Sequence, residues 1–225
     1  MNFLSHFYLH RNDDSCFNVG LTLPDILSLH NGRFRVTERL ILTKKDAFKG
    51  KKAASLFDGM LIHLKVDNFF HNSDFFNKSL SFLADKLNNS EVDFKIPFYI
   101  LHILFEILID KYLLTKRPSL AEEFYENHKL FNFAEITVFF KDSNNFNEEE
   151  FLKFCELLSK SVFLKEYGRN NKIIESLNRI SKRIGRPLEL DCENKLLLSY
   201  IDESYSGLLS EIENFIDFAF INSIF

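Results

Sequence analysis

The chain has 225 residues, 46% of them hydrophobic and 27% charged. That balance excludes a disordered chain, and the length suits one domain with a sizeable core. Three cysteines without CxxC spacing, Cys16, Cys155 and Cys192, argue against a disulfide framework and fit a reducing cytoplasm. With 27 Phe and no Trp, most phenyl rings must lie in the core.

The opening MNFLSHFYLHRNDD has neither the basic stretch nor the long apolar run of a signal peptide. No uncharged segment approaches the roughly 20 residues needed to cross a bilayer, so no membrane association is expected. Apolar residues recur at three and four along the chain, the period of amphipathic helices. Helices are predicted over about residues 2–10, 18–30, 36–46, 52–71, 74–88, 96–115, 119–130, 132–140, 147–165, 170–184 and 194–223. Ser73 is a start signal before the Phe75/Phe76/Leu80 run, and Pro97 suits a first helical turn. Ser119 with Glu122 reads as a capping box, and Asn145 with Glu148 as a similar one. EITVFF (135–140) is the one β-type run of note. The expected fold is all-α, a single compact multi-helix bundle occupying one domain, 1–225.

Two trios stand out within this pattern. His63, Asp67 and His71 fall at steps of four, and so do His102, Glu106 and Asp110. A step of four turns a helix by only about 40°, so each trio lines one stripe. Both stripes are flanked by apolar residues, and two hydrophobic helices bearing N/O donors are a common way to build a metal site. Solvated surface pairs are the plainer explanation of either trio alone. A His/carboxylate set suits Mn²⁺, Fe²⁺ or Zn²⁺ rather than Ca²⁺. Eight residues drift by about 80°, so His71 and Asp110, at the ends of the stripes, are the weaker candidates.

Charge is unevenly spread. Residues 33–52 hold eight Lys/Arg against two acids, and residues 165–186 hold seven against two, in a chain of net charge -4. Such stretches favour a phosphate-bearing or acidic ligand, or else are ordinary solvated helix faces. No GxxxxGK[ST], GxGxxG or GxSxG is present, and a pI near 6.0 without a recognisable module argues against nucleic acid.

MNFLSHFYL at the start, NVGLTLPDIL (18–27), GMLIHLKVDNFFHNSDFF (59–76) and FYILHILFEILIDKYLL (98–114) together resemble the acyl carrier protein phosphodiesterases. The resemblance covers roughly the first half of the chain. It implies an all-helical fold related to the HD-type metal phosphohydrolases and a divalent metal, usually manganese. It also implies hydrolysis of the phosphodiester that joins phosphopantetheine to a carrier-protein serine. Asp25 falls on the family's aspartate after Leu-Pro, His63 and Asp67 on its HxxxD pair, and His6 on the histidine of its opening motif. This sequence departs from the family at four positions. His71 stands where the family has Asp, and His102, Glu106 and Ile107 stand where it has Asp and an Asp-His pair.

The expected metal ligands are therefore Asp25, His63, Asp67, His102 and Glu106, with His6, His71 and Asp110 in a second tier. Asp25, His63, Asp67 and His71 are the expected catalytic groups, and manganese the expected ion, with iron or zinc as alternatives. The expected activity is metal-dependent phosphodiester hydrolysis in the cytoplasm, on a substrate that differs from the family's or not. The expected partner is acyl carrier protein, or another phosphate-bearing or acidic ligand held by the two basic stretches. The alternative is a non-catalytic helical binding or scaffold protein that keeps the fold. A di-iron oxygen-activating site is a third reading, weakened by the lack of two Glu-x-x-His motifs.

Overall fold

The computed structural model describes residues 1–30, 34–48, 50–92, 96–143 and 145–221. Among these, helix is the sole regular structure, as the three-and-four periodicity predicts. The α-helices are α1 (Phe3–His10), α2 (Ser15–Gly20), α3 (Leu23–His30), α4 (Glu38–Ala47), α5 (Lys51–His71) and α6 (Asp74–Asn88). They continue with α7 (Phe98–Lys116), α8 (Leu120–Leu130), α9 (Ala134–Phe140), α10 (Glu148–Lys160), α11 (Asn170–Arg183) and α12 (Lys195–Ile221). A 3₁₀ helix, Phe163–Gly168, precedes α11. No described helix is long and apolar enough to cross a membrane.

Two predicted helices are each divided in the structure. The segment 18–30 is α2 followed by α3, because Pro24 cannot donate to Gly20 and its ring crowds that carbonyl. Asp14 starts α2 three residues earlier than expected, its carboxylate accepting from the Cys16 and Phe17 amides. The segment 147–165 ends at Lys160, where the Ser161 hydroxyl donates to the Leu158 carbonyl 2.7 Å away, and the 3₁₀ helix follows. EITVFF (135–140) lies in α9 and not in a strand.

Helix starts also sort themselves by local chemistry. Ser73 caps α6 through the Phe76 amide at 3.1 Å. Ser119 is no capping box: its hydroxyl donates instead to Glu123, at 2.7 Å. Asn147, not Asn145, caps α10 by accepting from Glu150. Asn145 takes a positive φ of 66°, a turn conformation that asparagine tolerates.

The chain forms two compact units that interleave in sequence. Among the described residues one contains Met1–Asn2, Asn68–Pro118 and the segment from Phe163 to Ile221; the other contains Phe3–Asp67 and Ser119–Val162. In the first, α7 packs against α6, α11, α12 and the 3₁₀ helix. Its centre is phenylalanine: Phe75 stacks on Phe215 at 4.3 Å, and Phe70 on Phe105 at 6.0 Å. Tyr200, buried on α12, donates to the Leu83 carbonyl on α6.

In the second unit α8 packs on α1, α2 and α10, and α3 on α10 and α2. Phe124 meets Phe3 and Phe7 edge to face. Here α2 also crosses α5 at two glycines. A Cβ on Gly20 would overlap the Leu56 carbonyl, and a Cβ on Gly59 would overlap the Phe17 carbonyl. Only glycine lets the two backbones approach so closely. The Ser55 hydroxyl secures the same crossing by donating to Asp14 at 2.6 Å.

Alanine ordinarily stabilises a helix interior over glycine by about 0.5–1 kcal/mol. At Gly59 the sign should reverse, because the added methyl meets backbone on α2. Gly59→Ala is expected to destabilise by about 1–3 kcal/mol, the usual cost of overpacking. Urea denaturation checks it; an unchanged or raised midpoint would show that the helices can separate freely.

Candidate metal centres

The break before Pro24 places the Leu21 carbonyl at the end of α2, where helix carbonyls lack intrahelical partners. His63 on α5 lies 2% exposed, with Nδ1 2.8 Å from that carbonyl. A carbonyl only accepts, so Nδ1 carries the proton and a neutral ring keeps its lone pair on Nε2. That Nε2 lies 3.6 Å from Asp25 Oδ1, on the first turn of α3. His6, fully buried on α1, stacks on the His63 ring at 3.8 Å between centroids. Its Nε2 lies 3.5 Å from Oδ1 of Asp67, one turn beyond His63.

One donor atom each from His6, His63 and Asp67 lie within 4.8 Å of one another. Burial, and then the His6 charge, hold His63 well below the usual histidine range. For Asp67 burial pushes upward, but the His6 hydrogen bond and then nearby positive charge, that of the N-terminal amino group first, outweigh it and keep the carboxyl ionised. Neutral imidazole beside carboxylate is the protonation state in which both coordinate a metal.

The other unit holds a second set. His71 is the last residue of α5; His102 and Glu106 sit one turn apart on α7. Their ligand atoms form a small triangle. His71 Nε2 to His102 Nε2 is 3.0 Å, His71 Nε2 to Glu106 Oε1 is 3.2 Å, and His102 Nε2 to Glu106 Oε1 is 2.9 Å. Phe76 stands edge to face against both imidazoles, each at 4.9 Å. The amino group of Met1 also lies 3.3 Å from Glu106 Oε1. Burial raises the Glu106 carboxyl, but that amino group, His102 and His71 together hold it below the usual range.

The expected ligands thus fall into two sets. His63 and Asp67 meet His6 and Asp25; His102 and Glu106 meet His71. Asp110 is fully buried on α7 and belongs to neither, and Ile107 is fully buried beside it. Of the basic stretches, Arg33 and Lys49 lie outside the described residues. Arg35, Arg39, Lys51 and Lys52 are exposed, as are Lys182, Arg183 and Arg186 of the second stretch. Comparison with protein-family models, with curated proteins and with solved structures finds no match for this chain.

Sequence reasoning passed over a further buried pair. His128 on α8 places Nδ1 2.7 Å from the Phe124 carbonyl and Nε2 2.7 Å from the Thr22 hydroxyl. The ring links the α2–α3 junction to α8 from inside the core, and its setting between FYEN and KLF in sequence carries no ligand-type spacing. Burial lowers its pKa to about 4.

This depression has a definite pH consequence. Between pH 6.5 and about 4 the unfolded chain binds a proton that the native His128 does not, so stability falls as pH drops. His10, half-buried and also lowered to about 4 by burial and by His6, acts in the same direction. Going from pH 7 to pH 5 should cost about 2 kcal/mol at His128 alone. Urea melts at the two pH values should show the wild-type loss and a loss smaller by about that amount in His128→Gln. An equal loss in both would remove His128 as its source.

Proposed function

We propose that the protein is a metal-dependent phosphodiester hydrolase centred on His6, His63, Asp67 and Asp25. The observation that carries this reading is the orientation of His63. Leu21 holds its Nδ1, and its Nε2 faces Asp25 beside a second histidine and an ionised aspartate. A buried group of this kind gains most from a cation that satisfies its converging lone pairs.

The donors, two imidazoles and two carboxylates, fit manganese, iron or zinc, with manganese favoured by the resemblance to acyl carrier protein phosphodiesterases. Such an ion supplies Lewis acidity toward a phosphoryl oxygen and a bound water acidic enough to be hydroxide near neutral pH. Asp25, 29% exposed at its side chain and 3.6 Å from His63, is the carboxylate best placed to take a proton from water. His71 is engaged by His102 and Glu106 and is the poorer candidate for that role.

An HD-type relationship for the helical fold belongs to the same proposal, as does a carrier protein or other phosphate-bearing partner. The exposed Arg35, Arg39, Lys51 and Lys52, in the unit that holds this centre, would attract such a partner by long-range charge. One observation favours the second reading, a non-catalytic helical binding protein: Ile107 is fully buried where the resemblance places a histidine.

The test is turnover of bis-p-nitrophenyl phosphate and of holo-carrier protein with Mn²⁺, Fe²⁺ or Zn²⁺. Asp67→Asn should lower the rate by at least about 10–100-fold, the range seen even for supporting partners of metal ligands, while retaining the helical circular dichroism spectrum. Equal background rates for wild type and variant on both substrates would favour the binding protein.

A further inference from the structure

The triangle formed by His71, His102 and Glu106 has an internal conflict when read as hydrogen bonding alone. Its three edges, 3.0, 3.2 and 2.9 Å, are all of hydrogen-bond length. Two corners are imidazole Nε2 atoms, each bearing one proton at most, and the third is a carboxylate oxygen that only accepts. If both Nε2 atoms are protonated, two donors face each other along the 3.0 Å edge. If one is protonated, the remaining lone pair faces the carboxylate oxygen. If neither is, all three corners are acceptors. No proton arrangement satisfies the three edges together.

A cation satisfies all three at once. Bonds of about 2.1 Å set neighbouring ligands about 3.0 Å apart in octahedral geometry and about 3.4 Å apart in tetrahedral geometry. The observed edges of 2.9–3.2 Å lie within or beside that range.

We infer that His71, His102 and Glu106 form a second metal site, complete in itself, which binds a late first-row divalent ion such as zinc or cobalt without help from the His6/His63/Asp67 set. This goes beyond the proposed hydrolase and does not rest on it. Two imidazole nitrogens with one carboxylate favour these borderline metals over magnesium or calcium. The set is also prearranged. His102 and Glu106 are an i,i+4 pair on one helix, and Phe76 holds both imidazoles from the side.

Access is open, since the side chains of His71 and His102 are 29% and 35% exposed. Three donors on one side leave the remaining coordination positions to water or a small oxyanion. The Met1 amino group on Glu106 Oε1 is a contact that the ion must displace or share.

The experiment is Co²⁺ titration of the full chain, read by the visible d–d absorption of bound cobalt, with Zn²⁺ calorimetry beside it. The double variant His6→Ala/Asp67→Asn should keep one equivalent of bound Co²⁺. The double variant His71→Ala/His102→Ala should lose that equivalent, with affinity lower by about 100-fold or more. His102→Cys adds a positive readout, a thiolate-to-cobalt charge-transfer band that general damage to the fold cannot create. If both double variants lose all binding, or both keep it, the independent site is wrong. A folded His102→Cys that binds cobalt without the band would also overturn it. No part of this readout is turnover. A wild-type protein that hydrolyses neither substrate yet shows this pattern of cobalt binding would uphold the second site and count against the hydrolase alone.

Discussion

The crossing of α2 and α5 at Gly20 and Gly59 is the constraint on which the buried centre depends. Two backbones in direct contact there leave no slack between the end of α2 and the face of α5. Four residues past Gly59, His63 consequently reaches the Leu21 carbonyl at 2.8 Å. The carbonyl is at the end of a helix because Pro24 forbids its continuation, and Asp25 follows at once on the new helix. Close approach, helix break and acidic side chain thus come from one short stretch, GLTLPD. The tautomer of His63 is set by the backbone and not by solvent, so its Nε2 lone pair is directed at Asp25.

Phenylalanine supplies the corresponding rigidity around the other trio. Phe70, Phe75, Phe76, Phe105 and Phe215 form a continuous set of ring contacts in one unit. Phe76 belongs to that set and also touches His71 and His102. Edge-to-face contacts fix ring orientation as well as position. This gives some of the 27 phenylalanines a role beyond filling volume.

Much of the helical layout was legible in the periodicity. The segment predicted at 74–88 is α6 to the residue, and that at 52–71 is α5 short by one. Periodicity places residues on a stripe but does not say which stripes meet. Along α5, His71 lies eight residues from His63, a turn of about 80°. That drift separates it from its own trio and sets it against His102 and Glu106 on α7. Asp110 drifts in the same way along α7; it is fully buried and is a member of neither set. His6 was marked by the resemblance of MNFLSH; on α1 it has His10 one turn away but no carboxylate at helical spacing, and its partners His63 and Asp67 lie on α5. The break at Pro24 could have been read directly from its missing donor, but the apolar run through NVGLTLPDIL masked it.

The two trios have nearly the same composition, but their histidines sit in different environments. His6 and His63 are almost wholly buried, and burial disfavours the charged form of His63 beside an ionised Asp67. His71 and His102 keep about a third of their side-chain surface in solvent, and the carboxylate they share is held ionised by the Met1 amino group and by hydrogen bonds with both histidines. A low-dielectric cluster strengthens each electrostatic contact, and with it the polarising effect of any ion placed there. A half-exposed cluster weakens those contacts and lets ions and water exchange. Burial of the histidines, more than ligand identity, is what distinguishes the two sets.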